Sequence, residues 1–347
     1  MNRRVLFRAD SGVAIGSGHL VRSLALAREF AAQGAQVAFV SRERSGALLD
    51  LPREAGYALH VLSEDATRSQ EDDAHETQRF AQRWEANLAV VDHYALDARW
   101  EAIVRNTTGV LLALDDLADR QHACDWLLDQ NDCAPQAQRY TRHVSSDCAL
   151  LLGPRYALVQ PEFRAARARV APRDGTLHRI VLFFSGSDDT NETAKALQGL
   201  AMLDTQQLHV DVVIGAAHPD PRGIEATCGR HGWRFHQQIG YMAELLAAAD
   251  LSVGSAGSSS WERCILGAPA IVVQLSDNQR EVIRALTRQG CARSLGDARD
   301  VQAADYASAI AALNAAELAA MSRAGMDWID GQGASRVVCA VAERIAE

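Results

Sequence analysis

Val5-Leu6-Phe7-Arg8-Ala9-Asp10 forms the first apolar run of the chain; residues 11–18 follow with glycines at Gly12, Gly16 and Gly18, and His19 starts a helical pattern that lasts to Gly34. Buried strand, glycine-rich loop and helix in that order open a parallel α/β unit. The loop delivers backbone amides and one imidazole to the carboxyl end of the strand. Open α/β sheets bind ligands at that edge, and a helix amino terminus favours an anion there. Histidine is the side chain best suited to take a proton near neutral pH. His19 therefore reads as a catalytic base, with Arg22 one turn later on the same face as a phosphate contact.

Outward from this stretch, strand-like runs at residues 36–41, 57–62, 88–92, 110–115 and 149–152 alternate with helical patterns such as 20–33 and 70–84. The alternation stops near Gly153-Pro154-Arg155, and a short basic helix with a linker follows. A second alternating set runs through residues 179–184, 207–214, 233–237, 251–254 and 270–273. The fold expected is α/β, two Rossmann-like doubly wound parallel-sheet domains facing across a cleft. Their bounds read as 1–160 and 179–330, joined by a linker at 161–178. A terminal helix at 331–347, patterned over 334–346, is expected to pack back on the first domain.

A chain of 347 residues with 48% hydrophobic residues has material for two cores. The net charge of −9 argues against a general nucleic-acid binder. No apolar stretch approaches the ~20 residues of a membrane span, and the run after Arg3-Arg4 is too short for a signal peptide. A cytoplasmic protein is expected, without nucleic-acid or membrane partners. Seven scattered cysteines (Cys124, Cys133, Cys148, Cys228, Cys264, Cys291 and Cys339) form no CxxC, and most read as buried thiols.

Several motifs carry chemistry. Gly16-Ser17-Gly18-His19 lacks the third glycine and the distal acid of a dinucleotide fingerprint. Ser185-Gly186-Ser187-Asp188 follows a strand and leads to a helix that Asn191 would cap. Gly254 to Ser260, Gly-Ser-Ala-Gly-Ser-Ser-Ser, follows another strand, and its small residues let backbone approach a pyrophosphate. Glu262, one turn into the next helix, is suited to ribose hydroxyls. No GxxxxGK[ST] is present, so P-loop hydrolysis is disfavoured. Asp92 and His93 read as a possible pair beside Tyr94. Asp115, Asp116, Asp119 and His122 invite a metal, but acidic loops at strand ends commonly hold none. Asn278-Gln279 is a candidate sugar contact.

Together these segments resemble the UDP-sugar hydrolases of pseudaminic acid biosynthesis. The resemblance is carried by residues 7–10, 15–19 and Arg22, by Val91-Asp92-His93-Tyr94, and by Asp115 to Arg120. Leu128-Asp129-Gln130-Asn131, residues 153–158, residues 255–264 and Asn278-Gln279 complete it. It implies a GT-B fold similar to that of the MurG transferase. It further implies hydrolysis of UDP-2,4-diacetamido-2,4,6-trideoxy-β-L-altropyranose with no metal and no cofactor. His19 would activate water for inverting C–O cleavage, and the amides of Ser255, Ala256, Gly257 and Ser258 would hold the diphosphate. Glu262 would hold the ribose, and uracil would lie against backbone near Ile214 and the Tyr241-Met242 turn. Asp10, Gly16, Gly18, Arg22, Tyr94, Ser187, Asn278 and Gln279 are the implied sugar and phosphate contacts. The family loop usually reads Gly-Gly-Ser-Asp-Pro; this chain has Ser185 and Asp189 at its first and last positions.

Two other readings stand beside this one. A GT-B glycosyltransferase would pass the sugar to an acceptor, although no amphipathic membrane-docking stretch is visible. A UDP-sugar sensor would bind without chemistry, which an intact His19 loop argues against. A monomer whose partner is a small UDP-sugar is expected.

Overall fold

The structure, a computed structural model, describes residues 3–62, 69–132 and 136–345. The chain divides into two compact units, Met1–Pro161 with Gln332–Glu347, and Glu162–Gly331. In chain order the first unit contains β1 (Arg4–Ala9), α1 (Gly18–Ala32), β2 (Gln36–Arg42), α2 (Asp50–Glu54), β3 (Ala58–Leu62) and α3 (Gln70–Trp84). It continues with β4 (Leu88–Asp92), α4 (Ala98–Thr108), β5 (Leu111–Leu114), β6 (Trp126–Asp129), α5 (Gln136–Tyr140) and β7 (Ala149–Leu152). After α6 (Pro161–Arg167), the second unit has β8 (Arg179–Phe183), α7 (Glu192–Leu200), β9 (His209–Ile214), α8 (Pro221–His231), β10 (Arg234–Gln237) and α9 (Met242–Ala248). Then come β11 (Leu251–Ser255), α10 (Ser259–Ile265), β12 (Ala270–Gln274), α11 (Arg280–Arg288), β13 (Ala292–Asp297), α12 (Ala303–Ala311) and α13 (Ala315–Trp328). The chain then re-enters the first unit with α14 (Gly333–Ile345).

Both sheets are parallel and share one winding. The first runs β3-β2-β1-β4-β5-β6-β7 and the second β10-β9-β8-β11-β12-β13. Each is the doubly wound order, and each reverses direction beside its first strand, between β1 and β4 or between β8 and β11. Ligands of such sheets bind outside the strand ends at that reversal. Two strands escape the sequence pattern. β6 is only four residues long, and β13 reads ARSLGD, a half-polar edge strand whose register with β12 slips between Val272 and Val273.

Alternate faces of the first sheet build its core: Phe7 stacks on Phe39 at 5.1 Å, and Leu20, Leu24 and Phe30 of α1 close over them. Val337, Val338 and Val341 of α14 are fully buried in the same cluster. In the second unit Ile180, Leu182, Val212 and Val253 pack against Leu197 and Tyr306. Cys124, Cys228, Cys264 and Cys291 are buried thiols, but Cys148 is half-buried and Cys339 is exposed on α14. Cys133 and residue 346 of the terminal helical pattern lie outside the described residues.

The acidic cluster near residue 115 is consumed internally. Asp115 accepts hydrogen bonds from Arg120 and the Ala118 amide, and His122 Nδ1 lies 2.7 Å from Glu101. Among the described residues no group of three or more His, Cys, Asp or Glu converges to hold a metal ion. Burial alone would depress the His122 imidazole, but Asp115 and Glu101 outweigh it and hold it up at about 9. An imidazole raised on folding stabilises fully below its unfolded value and loses that contribution as pH rises through the folded one. Urea unfolding should therefore show stability falling between pH 6.5 and about 9, and His122→Gln should remove that slope, a difference on the order of 3 kcal/mol. Parallel pH profiles for the two proteins would contradict the assignment.

Candidate functional site

At the reversal of the first sheet, Ala9 of β1 lies beside Asp92, the last residue of β4. The loop from β1 closes through a bridge between Gly12 and Gly16, and Gly16 takes φ +73°, a left-handed conformation that suits glycine. Gly18 then opens α1 with neither a side-chain cap nor an acidic residue in the first turn. The positive end of the helix is therefore uncompensated, as an anion site requires.

His19 enters from this first turn. Its Nδ1 donates to Asp92 Oδ1 at 2.5 Å, and its Nε2 makes no hydrogen bond among the described residues. Arg22, three residues on and so on the same face, donates to both Asp92 oxygens at 2.6 Å. Burial would raise the Asp92 carboxyl, but Arg22 and then His19 outweigh it and hold it well below the usual carboxylate range. An ionised Asp92 fixes the proton on Nδ1 and leaves the Nε2 lone pair for chemistry. The half-buried ring of Tyr94 meets the imidazole edge-on at 4.4 Å.

Several expected contacts turn out otherwise. Asp92 and His93 do not pair, because consecutive residues at a strand end point to opposite sides; His93 Nε2 lies 3.3 Å from Asp10 instead. Asp10 is no open sugar contact. Fully buried, it accepts from Arg8, the Arg42 amide, Arg44 and His93, and Arg8 holds its carboxyl down against burial. Arg22 is likewise committed: its remaining Nη1 donates to Asp116 at 2.9 Å, so the guanidinium orients carboxylates instead of standing open to a phosphate. Asp92 as partner of His19, and Asp116 behind Arg22, were not legible as a network, since 24 residues separate the two carboxylates in sequence.

The second sheet reverses between β8 and β11, and both strands end in the loops singled out above. In the first, Asp188 adopts φ +47° and is buried, accepting from the Glu192 and Thr193 amides at 2.9 Å; Asn191 caps α7 at the Ala194 amide. Asp188 thus secures this turn, while Ser187, half-buried, makes no hydrogen bond among the described residues. Gly215 abuts it so closely that a Cβ would lie 2.0 Å from the Gly186 carbonyl oxygen.

In the second loop Ser255 donates its hydroxyl to the Phe184 carbonyl, so that side chain ties the two loops and is spent. Gly257 and Ser258 keep amides without hydrogen-bond partners among the described residues, whereas the pairing of Ser255 with Val273 turns the Ala256 N–H toward β12. Glu262 lies half-buried without a hydrogen bond among the described residues, and burial, opposed by Arg263 and reinforced by Glu162, pushes its carboxyl up to about 7. The Ile214 side chain is in the core, and its carbonyl accepts from the Gln238 amide. Met242 starts α9 half-buried, Asn278 is exposed, and Gln279 accepts from the Leu275 amide at 2.9 Å.

Residues 180–326 match the glycosyltransferase family 28 C-terminal domain. The chain is 31% identical over 160 residues to the UDP-2,4-diacetamido-2,4,6-trideoxy-β-L-altropyranose hydrolase of Campylobacter jejuni, covering 46% of this chain and 53% of that one. It is 21% identical over 286 residues to an uncharacterised Methanocaldococcus jannaschii protein, covering 80% and 57%. The chain thus spans about half the length of these curated relatives. The crystal structure of Acinetobacter baumannii MurG superposes with a TM-score of 0.70 at 13% identity, over 99% of this chain and 100% of that one.

Removing the Arg22 charge leaves Asp92 and Asp116 facing each other's field, with Asp92 still buried. Arg22→Met should cost about 3–5 kcal/mol in urea unfolding at pH 7, shrinking as pH falls and Asp92 protonates. A change below 1 kcal/mol would show that the pair is not the brace described. With two sheets of identical winding and likeness to MurG along its whole length, the chain has the two-domain GT-B fold, and its second unit matches the family 28 C-terminal domain.

Proposed function

We propose that the protein hydrolyses UDP-2,4-diacetamido-2,4,6-trideoxy-β-L-altropyranose to UDP and the free sugar, without metal. The observation that carries this reading is the His19–Asp92 pair, an imidazole whose tautomer is fixed and whose Nε2 has no partner among the described residues. Nε2 takes a proton from water as the water oxygen bonds to the anomeric carbon. The bond from that carbon to the diphosphate oxygen breaks with its electron pair going to UDP, inverting the centre. The amides of Gly257 and Ser258 receive the growing charge. Glu262 accepts from the ribose hydroxyls, which would supply donors to a half-buried carboxyl that has none among the described residues.

Support also comes from the Campylobacter jejuni relative, whose name carries this reaction. Cytoplasmic location and a monomer accord with this reading, and no described helix is long and apolar enough to cross a membrane. A second reading, transfer to an acceptor, draws on the match of residues 180–326 to a glycosyltransferase domain.

The two part in ¹⁸O-water with EDTA present. Hydrolysis predicts UDP release, label on the sugar's C1 and none on UDP. Tight UDP-sugar binding with no turnover would refute hydrolysis and favour a transferase. His19→Asn should lose turnover roughly 10²–10⁴-fold while keeping UDP affinity. Asp92→Asn should fall nearly as far, because its amide no longer enforces the Nδ1–H tautomer; unchanged turnover in either variant would remove His19 as the base.

A further inference from the structure

Cys124 and Cys148, 24 residues apart in sequence, precede two neighbouring strands of the first sheet. Cys124 stands just before β6 and Cys148 directly before β7, and the Ala149 amide donates to the Asp125 carbonyl at 2.9 Å, drawing the two strand starts together. Paired parallel strands lie about 4.8 Å apart, and a disulfide spans roughly 4.4–6.8 Å between Cα atoms. Cys124 belongs to the apolar cluster of Trp100, Leu111 and Leu127, and Cys148 packs against it. The two sulfurs meet at 3.6 Å, and Cys148 Sγ also reaches the Ala149 carbonyl oxygen at 3.8 Å.

The two thiols differ in their surroundings. Cys124 is buried, whereas Cys148 is half-buried and follows the exposed run Ser145-Ser146-Asp147, so a small solute meets its sulfur first. Charge is favoured on Cys148: the Cys124 thiol holds it down against burial, with the His122 imidazolium helping and Asp125 and Glu101 opposing. The Cys124 thiol is pushed up by the same contact and by burial. His122 is charged at neutral pH because Asp115 and Glu101 keep it protonated. An accessible thiolate beside a second thiol is the arrangement in which an oxidised sulfur finds a partner to close on. Cys264 and Cys291 line one small cavity but are both buried, and Cys339 is exposed on α14, far along the chain from this pair.

We propose that Cys124 and Cys148 are a reversible oxidation site, a dithiol that hydrogen peroxide converts to a disulfide across the starts of β6 and β7. The Cys148 thiolate attacks one peroxide oxygen, the O–O bond breaks, and the sulfur keeps a hydroxyl as a sulfenic acid. The departing hydroxide takes the Cys124 proton and becomes water. The Cys124 thiolate then attacks the sulfenic sulfur and the S–O bond breaks. This second hydroxide becomes water with the proton that Cys148 released on ionising. Two thiols lose two electrons in all, and one peroxide gains them. Closure on a neighbouring thiol halts oxidation at a stage that a reducing thiol reverses. The pair lies at the amino ends of its strands and His19 at the carboxyl ends of the same sheet, so the proposal does not depend on what the ligand is.

The test is peptide mapping of the reduced full chain after exposure to hydrogen peroxide, a catalase quench and alkylation of the remaining thiols in urea. A peptide pair joined through Cys124 and Cys148, lighter by two hydrogens than the reduced pair, should form while Cys339 is still free to be alkylated. Dithiothreitol should reverse it. In Cys124→Ala, Cys148 should give a sulfenic acid that dimedone captures, and in Cys148→Ser, Cys124 should stay reduced. Oxidation of Cys339 with Cys124 and Cys148 both still free would overturn the proposal by removing the reactivity. A Cys148 sulfenic acid that persists in the wild type, or a bond from Cys148 to any other cysteine, would overturn it by removing the closure. The wild-type map decides the matter even where a variant fails to fold.

Discussion

The Asp92 carboxylate has no access to water, and the first unit is arranged around the filling of its two oxygens. One oxygen takes the His19 Nδ1–H, and the Arg22 fork reaches both. This geometry requires β4 to end beside β1, α1 to begin at the glycine loop, and an arginine one turn along its face. Shift the register by one residue and Asp92 would point to the other side of the sheet. The constraint therefore couples the strand order, the loop and the rotamer of the imidazole. Asp116 and the buried Arg8–Asp10–Asp73 cluster extend the same principle, since buried charges in this fold are met by charges.

Arg263 stands out against that background. Where the first unit matches every buried guanidinium described above with carboxylates, the second holds Arg263 on two backbone carbonyls and the Ser252 hydroxyl. The surrounding glycines fit this arrangement: Gly254 and Gly215 both sit where a single methyl would collide with the neighbouring strand end. Close packing of backbone against backbone keeps the two loop-bearing ends stiff, which preorganised electrostatics need.

Much of the fold was legible, because parallel strands buried on both faces leave unbroken apolar runs such as Val5-Leu6-Phe7 and Ile180-Val181-Leu182. β13 was not, since an edge strand covered on one side tolerates Arg293 and Ser294. His19, the 255–258 loop and Glu262 stood out because glycine and serine at strand ends have few other reasons to cluster. The pairing of side chains was far less visible. Asp92 was read with its sequence neighbour His93, whereas the fold hands it to a histidine 73 residues away. Asp10 and Arg22 have the chemistry of ligand contacts, yet partners from distant strands already occupy them. Residue type announces capacity, and only the tertiary arrangement reveals whether that capacity is already used.

The return of the chain in α14 bears on how the molecule is made. Val337, Val338 and Val341 fill the same cluster as Leu20, Leu24 and Phe30, although the whole second unit lies between them in sequence. Emerging from a ribosome, the first unit has its complete sheet long before it has its last helix. Its nascent form therefore exposes an apolar seam along α1 while residues 162–331 are still being translated. The second unit, contiguous in sequence, carries no such debt and can consolidate first. The order of completion is then the reverse of the order of synthesis, and any interruption late in translation leaves the earliest-made core open.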